Sequence, residues 1–373
     1  MYLLSVIVLL FVAQLNVESK HVVKTYEYCR GGYCVPKHFC PTGTTDELPI
    51  LGQNGLQITL RVNEENECGD FMMICCKKSE RRPYKNDECG ISNPQGLVYN
   101  VESNLTYAKY GEFPWTVAIF QKSSKSNSSE LTHVGGGTLI HPRFVLMAAH
   151  TLKDSHRYVA RFGEWNMKSN FELHPTQDNE IKKYILHQLY RESTLSNDIA
   201  LAFLEKRVAY SEHIRPICLP RAQDVFDSQR CIATGWGFDI RTGKPPSIMK
   251  RMEMNVIPRA RCEMIFRELR IKYQLHTSVM CVEAAKDQNT CFRDGGSPLT
   301  CQRDDGSYVL AGIASWVVYC DQLDIPGGHV NVAKFASWIH GTIAINEGLH
   351  DDEASNNSKN VDDQMEVAPL QMQ

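Results

Sequence analysis

Short apolar runs, separated by glycine, proline and polar turns, recur along the chain from Gly111 to Leu349. Runs of this length between turn residues are typical of strands in an all-β domain. The clearest ones are Trp115–Phe120, Phe144–Ala149, Ile199–Leu204 and Tyr308–Trp316. We therefore expect a β-barrel or a β-sandwich in this region.

A helical period replaces this pattern near the end of the region. Apolar residues there recur at the spacing of one helix face. They are Val332, Phe335, Trp338, Ile339 and Ile343. The spacing predicts one amphipathic helix that packs on the sheets.

The last segment, residues 350–373, has the opposite composition. It holds six acidic residues against one lysine, Lys359, and almost no apolar residue before Val367. The acids are Asp351, Asp352, Glu353, Asp362, Asp363 and Glu366. A segment with so little apolar surface cannot build a core, so we predict an acidic disordered tail.

The first residues indicate the compartment. Leu3–Ala13 is an apolar run, and the small residues Val17 and Ser19 follow at a spacing that signal peptidase accepts. We interpret residues 1–19 as a signal peptide. A membrane anchor is the alternative, but the run is shorter than the ~20 apolar residues that span a bilayer. We expect a secreted, extracellular protein.

Composition limits the classes of function. The chain has 373 residues, 43% of them hydrophobic and 22% charged, with a formal net charge of −3. These values are typical of a globular protein, and the length allows one large and one small domain. A weak net charge argues against a nucleic-acid or membrane partner, so we expect protein partners.

Fourteen cysteines, an even number, allow seven disulfides in an exported chain. Six of them crowd into residues 29–76, a segment too short to be stable on a hydrophobic core alone. These six are Cys29, Cys34, Cys40, Cys68, Cys75 and Cys76. Metal ligation is the weaker interpretation, because no CxxC or histidine cluster with zinc spacing accompanies them. We predict a small disulfide-stapled module, with fifteen connectivities open.

Residues 77–105 are predicted to be a linker. Its first part, Lys77–Lys85, is basic and has no hydrophobic period. Such a run is either a solvated charged segment or an exposed cleavage site for a trypsin-like enzyme. The candidate cleavage residues are Arg81, Arg82 and Lys85.

Three sequons, at Asn104, Asn127 and Asn356, are candidate glycosylation sites. They agree with passage through a secretory pathway. Such triplets also arise by chance.

Three segments in the region 106–349 carry a resemblance to the chymotrypsin-like serine proteases. They are Gly136–Ile140 with Met147–His150, then Asn197–Leu201, then Cys291–Pro298. The resemblance implies a trypsin-like double β-barrel with a C-terminal helix. It assigns the general base to His150 and the buried carboxylate that orients it to Asp198. Gly295 stands where the family has its nucleophilic serine.

Glycine has no side-chain oxygen, so no acyl-enzyme can form at Gly295. Ser297, two residues on, is a conceivable substitute, but two residues along a tight loop usually miss the geometry a nucleophile needs. We predict a catalytically inactive protease homologue.

Other positions depart from the family in the same direction. Arg293 replaces the glycine whose N–H helps to build the oxyanion hole. Asp294 lacks its usual partner, because residues 96–100 offer no start of the kind that activation frees. Val317 stands where a glycine is preferred and would narrow the primary specificity pocket, and Asn289 stands near its floor.

Residues 29–76 resemble the clip domain of arthropod extracellular proteases. Together the two resemblances imply seven bridges: Cys29–Cys75, Cys34–Cys68, Cys40–Cys76, Cys89–Cys218, Cys231–Cys301, Cys262–Cys281 and Cys291–Cys320. The family's usual bridge beside the base is missing, since Gly135 and Thr151 occupy its two positions. We expect the loop that carries His150 to be freer than usual.

The segment Arg161–Asn166 resembles the start of the family's calcium loop, which ends here near Asp178 and Glu180. Glu164 and Glu180 are the candidate ligands, because calcium prefers oxygen. An ordinary exposed acidic loop is the alternative. We expect no other cofactor.

Taken together, the modules resemble the non-catalytic clip-domain serine protease homologues of arthropod haemolymph. The resemblance implies a cofactor or regulator of the cascade that activates prophenoloxidase and leads to melanisation. The partners implied are clip-domain proteases, prophenoloxidase or other cascade proteins, with oligomers possible after cleavage. The alternatives are a decoy that binds microbial surfaces or inhibitors, and residual hydrolysis through Ser297.

Overall fold

The computed structural model describes residues 28–29, 32–36, 73–77, 88–97, 106–123, 130–153, 156–169, 172, 174–239, 244–284, 292–293, 295–316 and 325–347. Several predicted features lie outside these residues: the signal peptide, Arg81, Arg82, Lys85, Asn104, Asn127, Asn356, Cys40, Cys68, Asn289, Cys291, Asp294, Val317, Cys320 and the tail 350–373. No helix among the described residues is both long and apolar enough to cross a membrane.

The cysteine-rich module contains a three-stranded antiparallel sheet of β1 (Tyr28–Cys29), β2 (Gly32–Pro36) and β3 (Met73–Lys77). Strand β2 is central, and its Cys34 is in register with Cys75 of β3. The strands that carry cysteines from the two ends of the module are therefore hydrogen-bonded neighbours in the sheet.

Six antiparallel strands close a first barrel in the order β4-β5-β6-β9-β8-β7. They are β4 (Thr116–Lys122), β5 (Leu131–His141), β6 (Phe144–Met147), β7 (Tyr158–Phe162), β8 (Gln177–Leu186) and β9 (Ala200–Leu204). On β4, Val117 and Ile119 fill the barrel interior, while Ala118 and Phe120 pack against a second core. Both faces of such a strand are buried, which explains why the sequence shows continuous apolar runs rather than alternation.

A second closed barrel follows in the order β10-β12-β13-β17-β16-β15. Its strands are β10 (Arg230–Gly235), β12 (Lys250–Ile257), β13 (Val279–Ala284), β15 (Pro298–Gln302), β16 (Tyr308–Trp316) and β17 (Gly327–Asn331). A two-stranded sheet joins β11 (Phe238–Asp239) to β14 (Phe292–Arg293). Helix α1 (Arg259–Glu268) connects β12 to β13.

The two barrels share one core. Trp115 and Trp236 are buried in it, and Thr116 Oγ1 lies 2.8 Å from Thr234 Oγ1, a hydrogen bond from one barrel to the other. A 3-10 turn (Val332–Phe335) leads into helix α2, residues 336–347. Phe335 and Ile339 of this helical segment are buried in the shared core. The predicted double barrel with a C-terminal helix is confirmed.

Three disulfides hold the described part of this domain: Cys89–Cys218, Cys231–Cys301 and Cys262–Cys281. They are pairings that the family resemblance implies. Around Cys89, Gly90 donates to Pro216 O and accepts from Tyr308 N–H, and Leu97 is buried. Residues 88–97, within the segment predicted as a linker, thus lie against the barrels.

Candidate functional site

His150 and Asp198 meet because the strands that carry them are paired. Strand β6 ends at Met147, which is in register with Ala200 at the start of β9. A 3-10 turn directly after β6 carries His150, and Asp198 precedes β9. The two segments are far apart in sequence, but the barrel brings their ends to the same edge.

Asp198 is fully buried and accepts three hydrogen bonds from residues that the structure describes. The His150 ring Nδ1 lies 2.7 Å from its Oδ2, and the His150 backbone N–H donates to its Oδ1 at 2.8 Å. Ser315 Oγ donates to the same Oδ2 at 2.5 Å. The arrangement holds the imidazole in one orientation, as a carboxylate does for a general base.

Ser315 is the member of this group that the sequence did not assign. It lies on β16 in the second barrel, so the carboxylate from the first barrel is bonded across the cleft. Its only sequence signal is its place next to Trp316, directly before the position assigned to the specificity pocket.

Gly295 lies where the resemblance requires a nucleophile, facing the base. A Cβ atom built on Gly295 would lie 2.4 Å from His150 Nε2 and 3.2 Å from Thr151 Cγ2. Its carbonyl accepts from Gly136 N–H at 3.0 Å, and the next residue, Gly296, has a φ of 89°. The turn is therefore tied to the first barrel, and the base occupies space that a side chain at 295 would need.

Ser297 does not replace the missing serine. Ser297 is 1% exposed, and its hydroxyl forms no hydrogen bond with any residue that the structure describes, His150 included. A Cβ atom on Gly136 would lie 2.3 Å from Ser297 Oγ, so the hydroxyl is packed against the backbone of β5. A hydroxyl in this position can neither lose its proton to His150 nor reach a substrate.

The pair that replaces the usual bridge beside the base remains in proximity. A Cβ atom on Gly135 would lie 3.3 Å from Thr151 Cγ2. Thr151 Oγ1 donates to Ala148 O at 2.7 Å and closes the turn that carries His150. A local hydrogen bond thus stabilises this turn in the absence of a disulfide.

The backbone of Arg293 lies in β14, opposite Phe238 of β11. The other positions assigned to the oxyanion hole and the pocket lie outside the described residues. Their roles stay predictions.

The two predicted calcium ligands have different partners. Glu180 forms ion pairs with Lys122 and Arg157, which lower its pKa. Glu164 lies beside Arg161 and Glu172 instead. No group of three or more residues suited to metal binding occurs among the described residues.

Sequence reasoning missed Glu172. Its carboxylate accepts the backbone N–H of Asn166 at 2.8 Å, and burial together with the Glu164 carboxylate raises its pKa to about 8.

A family model described as Trypsin matches residues 104–339. The chain belongs to this family. It is 47% identical over 84% of its length to an inactive CLIP domain-containing serine protease A8 of Anopheles gambiae, of which 89% is covered. A second relative from that mosquito, inactive CLIP domain-containing serine protease A28, is 37% identical, with 86% of this chain and 92% of the relative covered.

A third relative, phenoloxidase-activating factor 2 of Galleria mellonella, is 35% identical over 69% of this chain and 89% of its own. These comparisons confirm the resemblance to clip-domain serine protease homologues. The chain is a catalytically inactive member of the family, and its base and carboxylate are assembled beside a glycine.

Proposed function

We propose that this homologue is a secreted, non-catalytic cofactor or regulator of an extracellular immune protease cascade, the one that activates prophenoloxidase and leads to melanisation. The observation that carries the proposal is the relation of His150 to Gly295. The His150–Asp198 pair is assembled as in a protease, and His150 occupies the space at Gly295 that the side chain of a nucleophile would need.

A site that has the geometry of a protease but lacks the nucleophile suits a binding role. A buried carboxylate is costly unless it is hydrogen-bonded, and here Asp198 keeps all of its partners although they activate nothing. In this proposal the network maintains the surface on which both barrels meet. An active clip-domain protease or prophenoloxidase would recognise that surface.

Two further observations support the proposal. The name of the Galleria relative links a similar chain to phenoloxidase activation. Disulfides such as Cys231–Cys301 persist in oxidising compartments, in agreement with the predicted signal peptide and with secretion into the haemolymph.

The test is a reconstituted cascade. Purified full-length protein is added to prophenoloxidase and its activating protease, and phenoloxidase activity is measured over time. The protein is supplied both intact and after cleavage by the activating protease. We expect the yield of active phenoloxidase to change with the dose of the homologue.

A matched control is the variant Arg81→Gln with Arg82→Gln and Lys85→Gln, which removes the candidate cleavage residues. If the function requires cleavage, this variant should leave the yield of active phenoloxidase unchanged in the same assay. An unchanged phenoloxidase yield with both intact and cleaved wild-type protein would contradict the proposal.

A further inference from the structure

Helix α1 presents a rigidly held outer face. Cys262 and Phe266 are buried beneath the helix, and the disulfide Cys262–Cys281 fixes it to strand β13. Because the inner face is anchored, the side chains of the outer face keep a defined arrangement.

The outer face is basic. Residues 259–272 carry five basic side chains and two acidic ones. Arg259 is paired with Glu263, but Arg261, Arg270 and Lys272 are exposed and form no ion pair with any described residue. We call the outward-facing group the α1 surface: Arg261, Met264, Arg267, Leu269, Arg270 and Lys272.

Apolar side chains lie among these charges. Met264 and Leu269 are each 47% exposed, and they are two of the five large hydrophobic side chains exposed in the described part of the chain. A peptide segment that carries both carboxylates and apolar side chains could cover these two residues and pair with the cations around them.

Arg270 adds a conformational argument. It follows the helix with a φ of 55°, a left-handed conformation that glycine adopts more cheaply at the end of a helix. The Ile271 N–H donates to Phe266 O at 2.8 Å and closes the last turn of α1, so the backbone that carries Arg270 is fixed at the end of the helix.

The sequence contains a segment with the complementary composition. The tail, residues 350–373, carries six acids, and its last part intersperses Asp362, Asp363 and Glu366 with Met365, Val367 and Leu370. We propose that this acidic tail docks on the α1 surface of its own chain. The carboxylates would pair with the free cations, and the apolar side chains would cover Met264 and Leu269.

The tail is long enough to reach. From Glu347 back to Asn331 the helical segment spans about 26 Å. Asn331 N–H donates to Ser278 O, and Lys272 is six residues before Ser278, at most about 22 Å away. The 15 residues from Glu347 to Asp362 extend to about 50 Å, and those up to Glu366 extend further.

The test uses the full-length protein and a zero-length carbodiimide, which joins a lysine to a carboxylate only where the two are in contact. We expect Lys272 to be linked to Asp362, Asp363 or Glu366, as read by peptide mass spectrometry. Because exposed ion pairs are screened, the yield should fall between about 50 mM and about 500 mM salt.

Two variants with equal changes of charge make the test specific. Arg261→Glu with Arg270→Glu should lower the yield of the Lys272 crosslink about fivefold, since two exposed ion pairs contribute about 1 kcal/mol. Lys168→Glu with Arg221→Glu, two exposed positions outside the α1 surface, should leave it unchanged.

A measurement on the native sequence covers the case in which a variant misfolds. Hydrogen exchange of residues 259–272 should be slower in the full chain than in a chain ending at Leu349. Equal exchange, or no crosslink from Lys272 to the tail at low salt, would overturn the proposal. So would crosslinks that join isotopically light and heavy chains in a mixture, because the occupant would then be a second copy.

Discussion

His150 Nε2 lies 2.4 Å from the position that a Cβ atom on Gly295 would occupy. The imidazole cannot withdraw cheaply, because Asp198 holds both its ring and its backbone N–H. The base has therefore taken part of the space of the nucleophile it would serve. The sequence lacks the serine, and the packing of the site leaves too little room for its side chain.

Restoring the serine should not restore activity. In Gly295→Ser the new Cβ must displace His150 or the turn, so we expect no hydrolysis of trypsin substrates and no labelling by a fluorophosphonate probe. Overpacking should lower the free energy of unfolding by about 1–3 kcal/mol.

Gly341→Ser is the matched control, because a Cβ atom there meets no atom of the described residues within 4 Å. Its unfolding free energy should stay close to that of the wild type. Labelling of the serine introduced by Gly295→Ser, together with turnover, would show that the site is more adaptable than its packing indicates.

The hydrogen bonds of Asp198 should contribute to the free energy of unfolding, although they serve no catalysis. Asp198→Ala leaves the Ser315 hydroxyl and the His150 N–H without an acceptor, so we expect a loss of about 2–4 kcal/mol in urea unfolding. His150→Ala should cost less, since the His150 side chain is 27% exposed. Equal costs for the two variants would argue against this account.

Cleavage in the basic segment should release the cysteine-rich module. Arg81, Arg82 and Lys85 all precede Cys89, whose bridge to Cys218 therefore retains only the part of the chain after the cut. If the six cysteines of residues 29–76 pair with one another, the two fragments should separate on a non-reducing gel. Comigration without reductant and separation with it would mean that a disulfide joins the module to the barrels.

Acid should destabilise the fold through His329. This side chain is buried, and desolvation lowers its pKa from 6.5 to about 4. The folded state keeps it neutral while the unfolded chain takes up a proton near 6.5. Its contribution is fully present above pH 6.5 and is lost as the pH falls toward 4, a change of about 2–3 kcal/mol.

The variant His329→Leu should accordingly show a flatter decline in unfolding free energy between pH 7 and pH 4, measured in urea. His340→Gln removes an exposed histidine and serves as the control, with a profile parallel to that of the wild type. Parallel profiles for all three proteins would assign the acid sensitivity to other groups.

Strands and their termination are largely local properties, which is why the sequence predicts them. Runs such as Ile199–Leu204 are apolar throughout because both faces of β9 are buried. The division into two barrels depends on pairings between strands that are distant in sequence. So does the hydrogen bond between Thr116 and Thr234 that joins the barrels. The family resemblance supplied that architecture, whereas the apolar pattern left barrel and sandwich open.

The neighbours of Glu164 and Glu180 are contacts that the sequence pattern does not give. Glu180 follows Asp178 on one strand, and the alternation of side chains along a strand places its carboxylate beside Lys122 and Arg157. The carboxylate that reaches Glu164 is that of Glu172, from the intervening loop. The packing of the loop decides which carboxylate lies beside Glu164, and a pattern of residues along the sequence does not show this.

By itself the sequence determined the fold class, the family and the absent nucleophile, because motif spacing and residue identity are local facts. Only the tertiary structure decided that His150 closes the space at Gly295, that Ser297 faces away from it and that Ser315 completes the Asp198 network. Each of these relations joins segments from both barrels. Their geometry exists only after the long-range packing of the two barrels has formed.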